Sequence, residues 1–584
     1  MASPPVILLL VSLLFCIATQ RLYAEQAPNY TFVKEASEVS PLQGRFDYII
    51  VGGGTAGCPL AATLSSRYRV LVLERGGVPY GNSNITRLEN FPRTIADDRP
   101  DSPAQRFVST DGVISSRARV LGGSSCLNAG FYSRASPEYV AHLGWNGTLV
   151  NESYPWVEAV VANVPIVQQW QSGVRNGLLE VGILPYNGQT FDHIVGTKVG
   201  GSIFDAEGNR HTAADLLEYA NPDNITVLLH ANVHRVLFRT RGRNQPLAYG
   251  VAYTDNTGST HRAYLERNTR QSEIILCAGA LGTPQLMMLS GIGPAEHLRS
   301  FNISVLVDNP GVGAGMADNP MNAIFVPSPT PVETDLIQVV GITPFGSFIE
   351  AASGLSGYAG ATSNSDDFEP YLGIMSPQIG QLATYPPGER TQERIAEAVA
   401  QLKVAVAANN PAALGGGFIL EKVFGPLSNG NLRLLTTNVS DNPAVTFNYF
   451  ADPADLQACV QGIQTIEQVI NSGSFTDFRY PQTSTAFLLN LTSSLPINYI
   501  PKHTNDSTSL EQFCRDTVTT IWHYHGGSQV GRVVSPTYHV LGVDALRIID
   551  GSTWNFSPGT NPQATVMMLG RYMGVEILRE REQS

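Results

Sequence analysis

Two hydrophobic rhythms alternate along this chain. Phe46 to Val51, interrupted only by Asp47, is an apolar and aromatic run of strand length, which predicts a strand buried on both faces. Beyond Gly52–Gly57 the spacing of Ala61, Ala62 and Leu64 is that of a helix, and Tyr68 to Leu73 returns to a strand. The pattern recurs later: Glu273 to Cys277 reads as a strand and Gly279 as a turn. A helix follows, predicted to be capped by Thr283 with Pro284 at its first position and stopped at Gly291. Strands alternating with helices predict an α/β fold on a parallel sheet.

The run Val6 to Ala18 is a different signal. At 13 residues it is too short to span a bilayer and has the length of a secretory signal-peptide core, so cleavage is expected after Ala24, although no Lys or Arg precedes the run. No later run reaches membrane-spanning length, and the mature chain (residues 1–24 removed) is expected to be secreted without a membrane span. Ten Asn-x-Ser/Thr sequons, Asn29, Asn84, Asn146, Asn151, Asn224, Asn302, Asn438, Asn490, Asn505 and Asn555, suit a secreted glycoprotein. Cleavage also removes Cys16 from the six cysteines, leaving an odd number and so at least one free thiol. Cys58 and Cys277 sit in core-like stretches, whereas Cys459 and Cys514 flank a long polar segment and are the expected disulfide.

Composition narrows the function classes. Of 584 residues only 15% are charged against 43% hydrophobic, which excludes a disordered or coiled-coil chain. A net charge of −12 is the opposite of a nucleic-acid footprint. The 55 glycines imply many places where backbone comes close to something.

Gly52-Gly53-Gly54-Thr55-Ala56-Gly57 follows the first strand and opens the first helix, the arrangement of a dinucleotide site. Gly52 suits the tight turn, Gly54 the close approach of a pyrophosphate, and Gly57 the packing of helix on strand, while the helix N-terminus offers free N–H groups to phosphate. Glu74, at the end of the second strand and 22 residues after Gly52, stands where an acid accepts hydrogen bonds from an adenosine ribose. These residues alone leave NAD and FAD both open.

Two further segments decide between them. Arg117 to Gly130 is rich in small residues and backbone donors, and Glu273 to Pro294 is the second strand–turn–helix unit. Together with Ile521-Trp522-His523-Tyr524-His525-Gly526-Gly527, Leu546 to Ser552 and Asn561-Pro562-Gln563, they resemble the signature segments of the glucose-methanol-choline (GMC) family of FAD-dependent oxidoreductases, from about Tyr48 to Arg579. The run Phe107 to Val113 and the ending Leu569 to Gly574 resemble its plant branch of HOTHEAD-like proteins and mandelonitrile lyases.

The resemblance implies FAD held by Thr55 and Ala56 at the phosphates and by Glu74 and Arg75 at the adenosine, with Val233 near the adenine. Val120, Ser124 and Asn128-Ala129-Gly130-Phe131 would lie beside the flavin, with Trp522, Asp550, Gly551, Asn561 and Pro562 completing the site. Some members bind FAD covalently through a histidine, and Leu127 at that position implies non-covalent FAD. His523 is implied as the base that takes the hydroxyl proton and Asn561 as its hydrogen-bonding partner. His525, two residues on, would point the same way as His523 if the stretch is extended. His-x-His is also a metal-ligand spacing, but no acidic or Cys cluster lies near it and no metal is expected; for His525 a hydrogen-bonded core role is the preferred reading.

The motifs place a discontinuous Rossmann-like FAD-binding domain at 45–140, 215–325 and 520–584. The intervening 141–214 and 326–519 are expected to form a substrate domain, an antiparallel sheet covered by helices, with Ala351 to Asp366 as a mobile loop. The expected activity is oxidation of a small-molecule alcohol by a monomer, by resemblance a long-chain ω-hydroxy fatty acid. The alternatives are a hydroxynitrile lyase with structural FAD, disfavoured because Asn561 cannot exchange a proton at neutral pH, and a flavin-binding wall protein without catalysis.

Overall fold

The computed structural model describes residues 28–583 except 40–43, 98, 267–270, 355–415, 495–497, 499 and 501–508. The expected signal peptide and most of the expected mobile loop therefore lie outside the described residues.

The continuous apolar runs form a six-stranded parallel sheet in the order Val33–Glu35, Ile225–Leu229, Val70–Leu73, Tyr48–Val51, Glu273–Leu276, Leu546–Ile548. Both faces are covered, which is why every residue of Tyr48–Val51 and Val70–Leu73 is buried. By strand alternation Ile50 and Val72 face one layer, where Leu60 and Leu64 of helix Gly57–Ser65 pack with Met567, Met568 and Leu569 of helix Gln563–Glu582. Ile49, Val51, Leu71 and Leu73 face the other, against Val236 and Val251 of a three-stranded antiparallel sheet spanning 232–264. Full burial of each such side chain is worth about 1.5–3 kcal/mol.

A second, seven-stranded sheet runs Thr519–Thr520, Pro320–Pro327, Gly416–Val423, Ser347–Ser353, Val339–Ile342, Gly196–Val199, Tyr186–Gln189, antiparallel except for its last pair. One face, with Ile324, Ile349, Ala351 and Ile419, packs on helices Gln169–Glu180 and Pro453–Asn471 through Val174, Leu178, Ile463 and Ile466. Cys459 and Cys514 form the disulfide, joining the second of these helices to Leu510–Thr517, while Cys58, Cys126 and Cys277 are free and buried.

Three local expectations are corrected. Helix Gly279–Leu289 begins one turn earlier than Thr283, which is no cap; its hydroxyl donates to Asp550 Oδ2 at 2.6 Å, and Pro284 lies inside the helix. Ala351–Ser353 is buried strand rather than loop, because its backbone pairs with Gly417–Ile419 of the neighbouring strand. The stretch carrying His523 and His525 is not the regular strand in which the two would point the same way: Trp522 before it has φ +60 and only His525 makes a bridge. The backbone of His525 pairs with Ala317, and its Nδ1 lies 3.0 Å from the His523 carbonyl.

Candidate active site

A cavity of about 320 Å³ lies between the two sheets. Its floor is built by two glycine turns pressed together. Gly122 N–H donates to the Gly53 carbonyl at 2.7 Å, and a Cβ on Gly123 would stand 2.8 Å from Gly54 Cα, a separation that only glycine permits. Gly57 is equally confined, since a Cβ there would lie 2.0 Å from the Gly52 carbonyl oxygen. Helix Gly57–Ser65 opens toward the cavity with no side-chain cap at Ala56, so the positive end of its dipole is available to an anion, while Cys58 N–H is already given to the Gly54 carbonyl and Pro59 has none. Helix Gln563–Glu582 likewise begins at the cavity, after Asn561 and Pro562, with no side-chain cap.

The structure brings nearly all the sequence-derived residues to this one cavity. Gly52, Gly54, Thr55, Ala56, Glu74, Arg75, Val120, Ser124, Asn128, Ala129, Gly130, Phe131, Val233, Trp522, His523, Asp550, Gly551, Asn561 and Pro562 line it, and so does Leu127. Gly57 and His525 do not. A long cavity with an uncapped helix at a double glycine turn and an acid at the end of the neighbouring strand fits a flavin dinucleotide.

The polar groups are held from behind. Glu74 accepts N–H bonds from Gly53 at 3.0 Å and Gly76 at 2.8 Å, and burial raises its carboxyl against these bonds. Arg75 donates to Gln105 Oε1 and to the Ala118 carbonyl, both at 2.6 Å, and burial lowers it to about 10. Asp550 accepts from Gly279 N–H, Thr283 hydroxyl and Ser552 N–H, and so ties the second glycine turn to the C-terminal segment. Asn128 donates to Gln563 Oε1 and accepts from Arg210 and Gly130 N–H.

His523 is buried. Its backbone N–H donates to Asp318 Oδ1 at 2.9 Å, and the same carboxylate's Oδ2 accepts from Thr520 and Tyr449, which fixes where the ring starts. Burial first, then the Lys422 ammonium and then His525, push the imidazole well below its usual range, so it is neutral at neutral pH. Among the described residues no group of three His, Cys, Asp or Glu side chains is placed to hold a metal.

The opposite wall was not foreseen. On the cavity face of the seven-stranded sheet stand Met321 and Ala323, Phe418 and Leu420, and Ala352, each pair two residues apart on its strand, with Phe91, Ile95, Leu336 and Ile337 beside them. Asp318, Gln563, Arg210, Lys422 and Glu350 were also missed. For the last two a signal existed: Gly416–Val423 reads Gly-Gly-Phe-Ile-Leu-Glu-Lys-Val and Ser347–Ser353 reads Ser-Phe-Ile-Glu-Ala-Ala-Ser, strand runs that carry charge where an apolar side chain belongs.

GMC oxidoreductase family models match residues 46–321 and 426–570. The Arabidopsis thaliana protein HOTHEAD is 50% identical over 564 residues, covering 95% of this chain and 93% of that protein. An (R)-mandelonitrile lyase-like protein of the same plant is 45% identical, covering 94% and 92%. Among solved structures, a formate oxidase of Aspergillus oryzae superposes with a TM-score of 0.69 at 18% identity, over 92% of this chain and 99% of that one.

Proposed function

The chain belongs to the GMC oxidoreductase family of FAD-dependent oxidoreductases, and from that premise we propose that it oxidises a primary alcohol with a long apolar tail, an ω-hydroxy fatty acid being the substrate class that fits best. The observation that carries this reading is a buried histidine and an amide side chain in one cavity that Met321, Ala323, Ala352, Phe418 and Leu420 of the seven-stranded sheet wall with apolar surface. FAD, when bound, supplies the hydride acceptor.

His523 takes the hydroxyl proton, which only a neutral imidazole can do. Asn561 binds the same oxygen. Phe91, Ile95, Leu336, Phe418 and Leu420 receive the tail, each buried methylene contributing about 0.8 kcal/mol, and keep water from the reacting carbon. We also infer that FAD is held without a covalent bond, since Leu127 occupies the loop position that resembles the attachment site. Secretion and a monomeric state belong to the same reading.

Anaerobic mixing with a series of primary alcohols tests it. Bleaching of the flavin band supports alcohol oxidation, with His523→Ala abolishing bleaching while FAD stays bound. Cyanide release from a cyanohydrin without bleaching would replace the proposal by a lyase activity.

A further inference from the structure

On strand Gly416–Val423 the cavity-side row Phe418, Leu420, Lys422 begins as apolar wall and ends in a charge. Lys422 stands behind the wall, fully buried, and its Nζ donates to Glu350 Oε1 at 2.8 Å and to Asn561 Oδ1 at 2.9 Å. Glu350 lies one diagonal step away on the adjacent strand, where Lys422 registers with Phe348 and Glu350 with Leu420. A buried ion pair adds little net stability, because the loss of hydration offsets the attraction, and apolar side chains would join these strands as well. The contact with Asn561 is what such replacements could not supply.

That contact sets the amide. An ammonium has three donors and no acceptor, so the atom of Asn561 facing Lys422 is its carbonyl oxygen, which leaves the Nδ2 donor of this cavity-lining residue for a ligand. We propose that Lys422, clamped by Glu350, is a positioning residue that holds Asn561 as a hydrogen-bond donor to the substrate oxygen. The proposal rests on the roles given above to His523 and Asn561. A donor at this place stabilises the negative charge that grows on the oxygen as its proton leaves for His523; an acceptor there would compete with His523 for that proton.

Removing Lys422 alone would strand the Glu350 carboxylate, so the test replaces the pair, Lys422→Met with Glu350→Leu. FAD content and thermal unfolding establish that the variant folds. The pair variant, Asn561→Ala and the combination are compared with the parent in anaerobic flavin reduction by a primary alcohol. The expected losses are about tenfold in the limiting rate for the pair variant, about a hundredfold for Asn561→Ala, and no further loss in the combination, with KM nearly unchanged in the pair variant.

Titration with decanoate, followed by the flavin absorption spectrum, gives a readout without turnover. Its binding should weaken in the pair variant and be no weaker in the combination than in Asn561→Ala. Equal losses from the pair replacement with and without Asn561 would overturn the proposal. So would a pair variant whose rate plateau is unchanged and whose acid limb alone moves, which is the mark of a direct charge effect on His523. If no alcohol reduces the parent flavin, the oxidoreductase reading falls, and the decanoate comparison still decides how Asn561 is held.

Discussion

Gly123→Ala isolates the junction of the two glycine turns. Gly123 has φ +62, and a methyl group there would lie 2.8 Å from Gly54 Cα and 2.9 Å from Thr55 N. The left-handed backbone costs an alanine about 1 kcal/mol, and that cost falls on folding. The contact is a separate matter. Non-bonded carbons rest at about 3.5–4.0 Å, so the turns must part by roughly 0.7 Å, and the displaced atom is the backbone nitrogen proposed to bind a phosphate. Losing one charge-assisted N–H bond costs about 1.5–3 kcal/mol, so the dissociation constant for FAD should rise about ten- to a hundredfold.

Gly81→Ala is the matched control, because Gly81 has φ +76 and nothing lies within 4 Å of where a Cβ would stand. It should lose about the same 1 kcal/mol of stability and keep the parent affinity. Fluorescence titration of the apoproteins with FAD, beside thermal unfolding of all three, separates the two effects. The reasoning is refuted if Gly123→Ala binds FAD within about threefold of the parent, or if Gly81→Ala weakens it as much.

Three other outcomes are expected. Because burial and then Lys422 push His523 well below its usual range, its neutral form persists as pH falls through the ordinary histidine value of about 6.5. Flavin reduction should therefore stay level as pH falls through that value, and a half-maximal rate near 6.5 in stopped-flow would show a normally titrating imidazole. Opening the disulfide with Cys459→Ser and Cys514→Ser removes a link between positions 55 residues apart, a loss of about 4 kcal/mol on the loop-entropy estimate. Denaturant titration would show it as a lower midpoint, and an unmoved midpoint would deny the link any weight. Acid precipitation should leave the protein pellet colourless and the FAD in solution; a yellow pellet would show covalent attachment and contradict the reading of Leu127.

The parallel sheet and the dinucleotide turn were legible because each is carried by residues adjacent in sequence. Strand, glycines, helix and Glu74 all lie within Tyr48–Glu74, and the Gly57 contact with Gly52 spans only five positions. Thr283 misled for a related reason. Its threonine–proline pair has the form of a helix start, but its hydroxyl donates to Asp550, 267 positions away, a partner that local propensity does not register.

The substrate side was opaque for a different cause. Its wall is a sheet face assembled from Pro320–Pro327, Ser347–Ser353 and Gly416–Val423, and both faces of that sheet are buried, one by helices and the other by the cavity. With neither face in water, the strands have no polar alternation from which to read which residues look inward. Only register separates Leu420, in the wall, from Ile419, packed beneath helix Pro453–Asn471. Charge is the one signal that survives such burial, since a lysine or glutamate is seldom enclosed without a partner. Glu421 and Lys422, adjacent in one strand, accordingly point to opposite faces, Glu421 to the Ser347 hydroxyl and Lys422 to Glu350 and Asn561. The buried charge that reaches Asn561 thus lies on the face that bounds the cavity, where its contact can act on the substrate oxygen rather than on the fold alone.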